Sequence, residues 1–199
     1  MKTLENTISP SILRKSLDSL KKSKNFCEIS LEHPSDAFLC QILDVSEIMI
    51  LARKILPDSG GFDGFSLLFY DNLATLSWEG ELLEQLEILL EEKSKNNANP
   101  LEKISNINIH NHFFKVIKTI NSLFGHISVY DAKTANDFYF GQVQDIDEEF
   151  MLLRLIGDKY SYDDRKIIIR LADIGRIDFG GVYDENMLKL HKIKKTKAR

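Results

Sequence analysis

Cysteine is nearly missing from this chain: Cys27 and Cys40 are the only two among 199 residues, too few for a disulfide scaffold. They are read as free thiols of a reducing compartment, small enough to pack inside a core. Long apolar runs are absent as well. No stretch reaches the roughly 18 apolar residues that a membrane span requires, and Met1 to Asn6 contains no signal-like run, so a cytosolic chain without a membrane partner is expected. Glycine-rich phosphate loops, nucleophile elbows and zinc-binding histidine-glutamate motifs are also missing, which points to a protein that is not an enzyme and needs no cofactor.

What is present is ordinary globular composition, 43% apolar and 28% charged, with a formal charge of −4. That total hides an asymmetry. Through Ala98 the chain holds 10 basic and 16 acidic residues, and from Asn99 onward 16 basic and 14 acidic, so the halves carry −6 and +2. Lys189, Lys192, Lys194, Lys195, Lys197 and Arg199 crowd the last residues with no acid among them.

The chain repeats itself. Gln41-Ile42-Leu43-Asp44-Val45-Ser46-Glu47 returns as Gln142-Val143-Gln144-Asp145-Ile146-Asp147-Glu148, and the same spacing carries Arg53 onto Arg154, Leu76 onto Ile177, Trp78 onto Phe179 and Gly80 onto Gly181. Upstream, Phe26 to Leu31 is matched with Phe124 to Val129, a spacing of 98, which implies three extra residues in the loop around Asp131 to Asp137.

Each copy predicts the same succession. In the first, Ser9-Pro10 starts a helix carrying Ile12, Leu13, Leu17 and Leu20. Five short strands follow, near residues 26–32, 37–45, 48–55, 65–70 and 73–78. Gly80 to Lys95 then forms a closing helix with Leu82, Leu83, Leu86, Leu89 and Leu90 on one stripe. Residues 97–101 read as a linker between a first unit, 1–96, and a second, 102–199. The second unit has a helix with Phe113, Val116, Ile117 and Ile120, alternating strands, and a closing helix with Met187, Leu188, Leu190 and Ile193 inward. The apolar phase breaks across Gly141, between Phe140 and Val143, predicting a bulge that bends the second strand.

Five antiparallel strands behind a helix, the second strand bent, resemble the Sm-like fold, an SH3-like barrel. In the second copy Gly125 to Val129, Phe140-Gly141-Gln142-Val143 and Asp147 to Leu152 are similar to the first Sm motif, and Arg170 to Ile177 to the paired last strands of the second. The resemblance implies a mixed α and β chain of two tandem small five-stranded antiparallel Sm-like barrels, each with an N-terminal helix and a closing C-terminal helix. It also implies where RNA-binding members hold a base: an asparagine after the hydrophobic position, and an arginine-glycine pair before the last strand. Those places hold Met151 and Arg170-Leu171 in one copy, Ile50 and Phe69-Tyr70 in the other, so the base pocket is not carried over.

Remaining candidates are weighed by chemistry. Arg53 and Arg154 sit in apolar strands and are expected to pair with Asp44 and Asp145, since an unpaired buried guanidinium is costly. Glu47 and Glu148, beside those acids, are read as turn residues. His110 and His112 lack the company a metal site needs. The reading reached is a non-catalytic interaction protein with a protein partner. The alternative is binding of RNA or another single strand through Lys115, Lys118, Arg165, Lys166, Lys192, Lys194, Lys195 and Lys197, with Tyr160 and Tyr162 for stacking.

Overall fold

The computed structural model describes residues 11–32, 36–57, 61–93, 101–133, 138–156 and 165–197. Ten strands form one open antiparallel sheet: β1 (Phe26–Leu31), β2 (Asp36–Val45), β3 (Met49–Leu56), β4 (Gly61–Phe69), β5 (Leu73–Ser77), β6 (Ile127–Asp131), β7 (Phe138–Ile146), β8 (Phe150–Leu155), β9 (Lys166–Arg170) and β10 (Ile174–Phe179). Their order is β5-β1-β2-β3-β4-β10-β6-β7-β8-β9, so each half keeps one internal order and the halves meet at β4 and β10.

This overturns the expectation of two separate five-stranded barrels. The last edge of the first half is joined to the second half by four residue pairs, Phe65–Phe179, Ser66–Asp178, Leu67–Ile177 and Leu68–Arg176. The physical reason is twofold. Edge backbone groups gain partners, and Met49, Leu51, Phe65 and Leu67 of the first half enter the same apolar core as Val116, Ile120, Ile177 and Phe179 of the second. Phe65 lies 5.7 Å from Phe179 and 6.2 Å from Phe124, so an aromatic trio closes that face of the joint.

Five helices accompany the sheet: α1 (Ile12–Ser23), α2 (Glu81–Lys93), α3 (Leu101–Ile104), α4 (Phe113–Phe124) and α5 (Val182–Lys197). Ser11, not Ser9, caps α1 and accepts the Arg14 N–H at 3.2 Å; Ser9 and Pro10 lie outside the described residues. Leu17 and Leu20 seal α1 over Cys27, Ile29, Cys40 and Ile42. The expected linker falls largely outside the described residues, and Leu101 already begins α3, whose Ile104 is buried with Ile107 and Ile109 in the shared core. The closing helices are less inward than expected: Leu82 is exposed, and Leu190 and Ile193 are 50% and 52% exposed.

Strand pairing also corrects the repeat. Ile29 faces Leu76 where Val129 faces Ile177, so the first strands are 100 residues apart, not 98. Cys27 therefore corresponds to Ile127 rather than Gly125. A register irregularity does recur at one spacing, between Ile42 and Asp44 and between Val143 and Asp145, so that it falls at Gln144, three residues beyond Gly141.

Gly64, at φ +73°, shows how closely the halves approach: a Cβ there would lie 2.5 Å from the Gly181 nitrogen and 2.6 Å from the Phe179 oxygen. Gly125, at φ +77°, has open space instead. Gly64→Ala is therefore expected to lower stability by about 2–3 kcal/mol and Gly125→Ala by about 1 kcal/mol. Urea denaturation checks the difference; equal losses would mean that the joint is not tightly closed.

Candidate functional site

On the face of the joint opposite the aromatic trio, strand alternation aligns polar side chains. Asp178 stands between Ser66 of β4 and Ser128 of β6, and Arg176, two residues back on the same face, stands beside Tyr130. The Lys54 ammonium reaches Asp178 at 2.8 Å, and the Ser66 hydroxyl donates a short hydrogen bond to the same carboxylate. Arg176 completes the group. Its Nε lies 3.3 Å from Asp178 and its Nη1 2.6 Å from Asp36, while its guanidinium lies 3.8 Å from the Tyr130 ring centroid.

Burial pulls both cations toward neutrality, yet the carboxylates prevail, leaving Lys54 and Arg176 above their ordinary values. Burial pushes Tyr130 up too, with Asp178 adding to it.

The start of α5 roofs this group. Asp184 accepts the Ser128 hydroxyl at 2.8 Å and the Gly181 N–H at 3.4 Å, and Asp63 accepts the Val182 N–H at 2.9 Å. Burial pushes the Asp184 carboxyl up to about 6, with the Ser128 and Gly181 hydrogen bonds opposing. His126 lies 4.0 Å from Asp184, and neither ring nitrogen meets hydrogen-bond geometry. Burial holds it below the usual imidazole value, although the Phe124 backbone and Glu185 oppose in part. Between these groups is a cavity of about 160 Å³ lined by Lys54, Asp63, Ser128, Tyr130, Asp178 and Asp184, with Phe179, Gly181 and Tyr183 completing it.

Sequence reasoning missed this constellation, although Arg176 and Asp178, two apart in an apolar strand, carried the same signal as Arg53. They lack counterparts in the other copy, where Thr75 and Ser77 occupy those places. The residues that do recur behave differently from expectation. Asp44 pairs with Lys21 at 2.5 Å and lies 3.6 Å from His110, not with Arg53. Lys21, the Val45 N–H and His110 together overcome burial and lower its carboxyl. Arg53 stacks 3.2 Å above the Phe62 ring instead, and burial brings its guanidinium down to about 10. Arg154 stands half-buried opposite Gln142 and Lys166, while Asp145 accepts the Ile146 N–H at 2.9 Å.

Among the described side chains, the nucleic-acid candidates lie at two elements. Lys115 and Lys118 are exposed on α4 near the Phe114 ring, and Arg165 and Lys166 are exposed at β9. Tyr160 and Tyr162 lie outside the described residues, as do the side chains of Lys192, Lys194, Lys195 and Lys197. A second, open cleft of about 380 Å³ lies where Phe69, Phe113 and Leu171 meet, with His112, Phe114 and Glu148 around it. Met151 and Ile50 are wholly buried. Cys27 and Cys40 face each other across β1 and β2 with sulfurs 3.7 Å apart, and Cys27's hydrogen bond together with burial raises the Cys40 thiol well above its ordinary value. Among the described residues, no three metal-binding side chains are grouped to hold an ion, and no helix is long and apolar enough to cross a membrane. Compared with known proteins, the chain matches no family model, no curated protein and no solved structure.

The raised Asp184 value has a stability consequence. Its carboxyl titrates near 6 when folded and near ~3.9 when unfolded, so the folded state holds the proton more tightly, and the resulting stability is present below about pH 4 and lost as pH rises through 6. Asp184→Asn is expected to gain about 1–3 kcal/mol over wild type at pH 7, with the gain vanishing toward pH 4. Urea midpoints across that range check it, and a pH-independent difference would refute the assignment.

Proposed function

We propose that the protein is a non-catalytic interaction module that recruits a protein partner by strand addition at the open edge of β9. One observation carries this reading: the chain's own halves are held by a four-residue edge-to-edge pairing, and the second half's counterpart of β4 has no further strand beside it among the described residues. The Leu155 N–H bonds the Arg165 carbonyl and the Leu171 N–H bonds the Glu149 carbonyl. Those bonds direct the odd-numbered residues of β9 toward β8 and turn the backbone of Lys166, Ile168 and Arg170 outward. Ile168 is 71% exposed there, an apolar side chain on an unpaired edge. The Sm-like relationship belongs to the same proposal and is supported half by half, through the shared strand order, the preceding helix and the recurring register irregularity of the second strand.

Ile168→Pro removes an outward N–H without touching the ladder to β8. With the wild type and this variant as baits in extract of the source cell, a partner retained by the former is expected to drop at least tenfold with the latter, urea midpoints staying close. Slowed exchange of the Lys166, Ile168 and Arg170 amides in the recovered complex places the partner on β9. Identical partner sets, or no retained protein, would count against strand addition.

A second reading rests on the cleft at Phe113 and Phe114, whose aromatic wall has Lys115 and Lys118 nearby, a combination suited to stacking a single-stranded base beside phosphate. It predicts salt-dependent retention of single-stranded RNA that falls at least tenfold in Lys115→Glu/Lys118→Glu. No retention at low salt removes it.

A further inference from the structure

We propose that the cavity at the joint of the two halves is a binding site for a small organic cation of the guanidinium or primary-ammonium class. Charge balance argues for it. Among the lining residues one cation, Lys54, stands against three carboxylates, Asp63, Asp178 and Asp184. Asp178 is answered by Lys54 and by Arg176, and Arg176 is itself shared with Asp36. Asp63 and Asp184 hold only neutral donors, the Val182 and Gly181 N–H groups and the Ser128 hydroxyl. Asp184 is buried and Asp63 half-buried; a carboxylate drawn out of water without a countercharge of its own is unfavourable, and a cation that brings its own N–H donors supplies both elements.

Two further observations point the same way. His126, 4% exposed, lies 4.0 Å from Asp184 without a ring nitrogen in hydrogen-bond geometry to it. Its burial favours the neutral imidazole, so the cation that acts on Asp184 is Lys54, which is itself bonded to Asp178. The cavity of about 160 Å³ holds roughly five waters' worth of space at ~30 Å³ each, enough for guanidinium or a short alkylammonium, and Tyr130 and Tyr183 supply aromatic wall for a cation. The site does not depend on strand addition at β9, because it lies within one chain.

Guanidinium and urea are nearly the same shape and differ in charge, so they separate recognition of a cation from filling of a hole. Wild-type protein at pH 7.5 is titrated to 20 mM with guanidinium chloride, urea or sodium chloride at constant ionic strength while the Gly181, Val182 and Asp184 amide signals are followed by NMR. Guanidinium is expected to move them saturably, and urea and sodium to leave them in place. At pH 5 apparent affinity should fall about tenfold, as Asp184 takes up a proton. Lys54, Asp178, Arg176, Tyr130, Tyr183 and Asp63 also face or adjoin the cavity, and His126, held below the usual imidazole value, and Glu185 adjoin Asp184; a proton on His126 would act in the same direction. Asp184→Asn and Asp63→Asn should each abolish the saturable shift while retaining the folded spectrum. A guanidinium response no larger than that of sodium, or one that survives in both variants, overturns the proposal.

Discussion

The pairing of β4 with β10 is the constraint on which the rest depends. Four residue pairs turn two five-stranded halves into one sheet, and an aromatic and a polar cluster lie on the two sides of that seam. On one face the Phe65, Phe124 and Phe179 rings remove apolar area from water, which is the main favourable contribution. On the other, Lys54, Asp178 and Arg176 are buried as a paired set, a kind of interaction that contributes little net stability.

What such a set contributes is discrimination of register. A slip of one residue along β10 would turn Asp178 to the aromatic face and bring Phe179 toward the Lys54 ammonium. Apolar packing alone tolerates displaced arrangements better than a charge that has lost its partner. The polar face therefore selects the alignment that the aromatic face stabilises. Crowding at Gly64 enforces the same choice sterically, since its Cα lies against the Phe179 and Gly181 backbone.

Much of the local structure was legible in the sequence, because alternation and helical spacing report which side chains seek a core. The strand runs, the α1 and α4 stripes and the recurrence of Asp44 with Asp145 could be read in this way. Three things could not. Alternation says which face of β4 is buried but not which strand lies at its edge, so two barrels and one sheet look alike. Matching Phe26 with Phe124 followed residue likeness, whereas cross-strand pairing set the true spacing. Searching for shared residues also drew attention away from Arg176 and Asp178, whose importance comes from being in one copy alone. For Arg53 the sequence points to an acid as partner, whereas the aromatic ring of Phe62 takes that place.

One repeat position has met two fates. Trp78, the only tryptophan of the chain, and Phe179 occupy matching places, yet the indole is 40% exposed just beyond β5 while the phenyl ring is fully enclosed at the seam. The enclosed ring records what covering does at that position, and the part-exposed indole marks the end of the sheet where the described residues add no further strand. Because its emission responds to solvent, the chain carries a native optical gauge at its β5 end, independent of any label and far in sequence from β9.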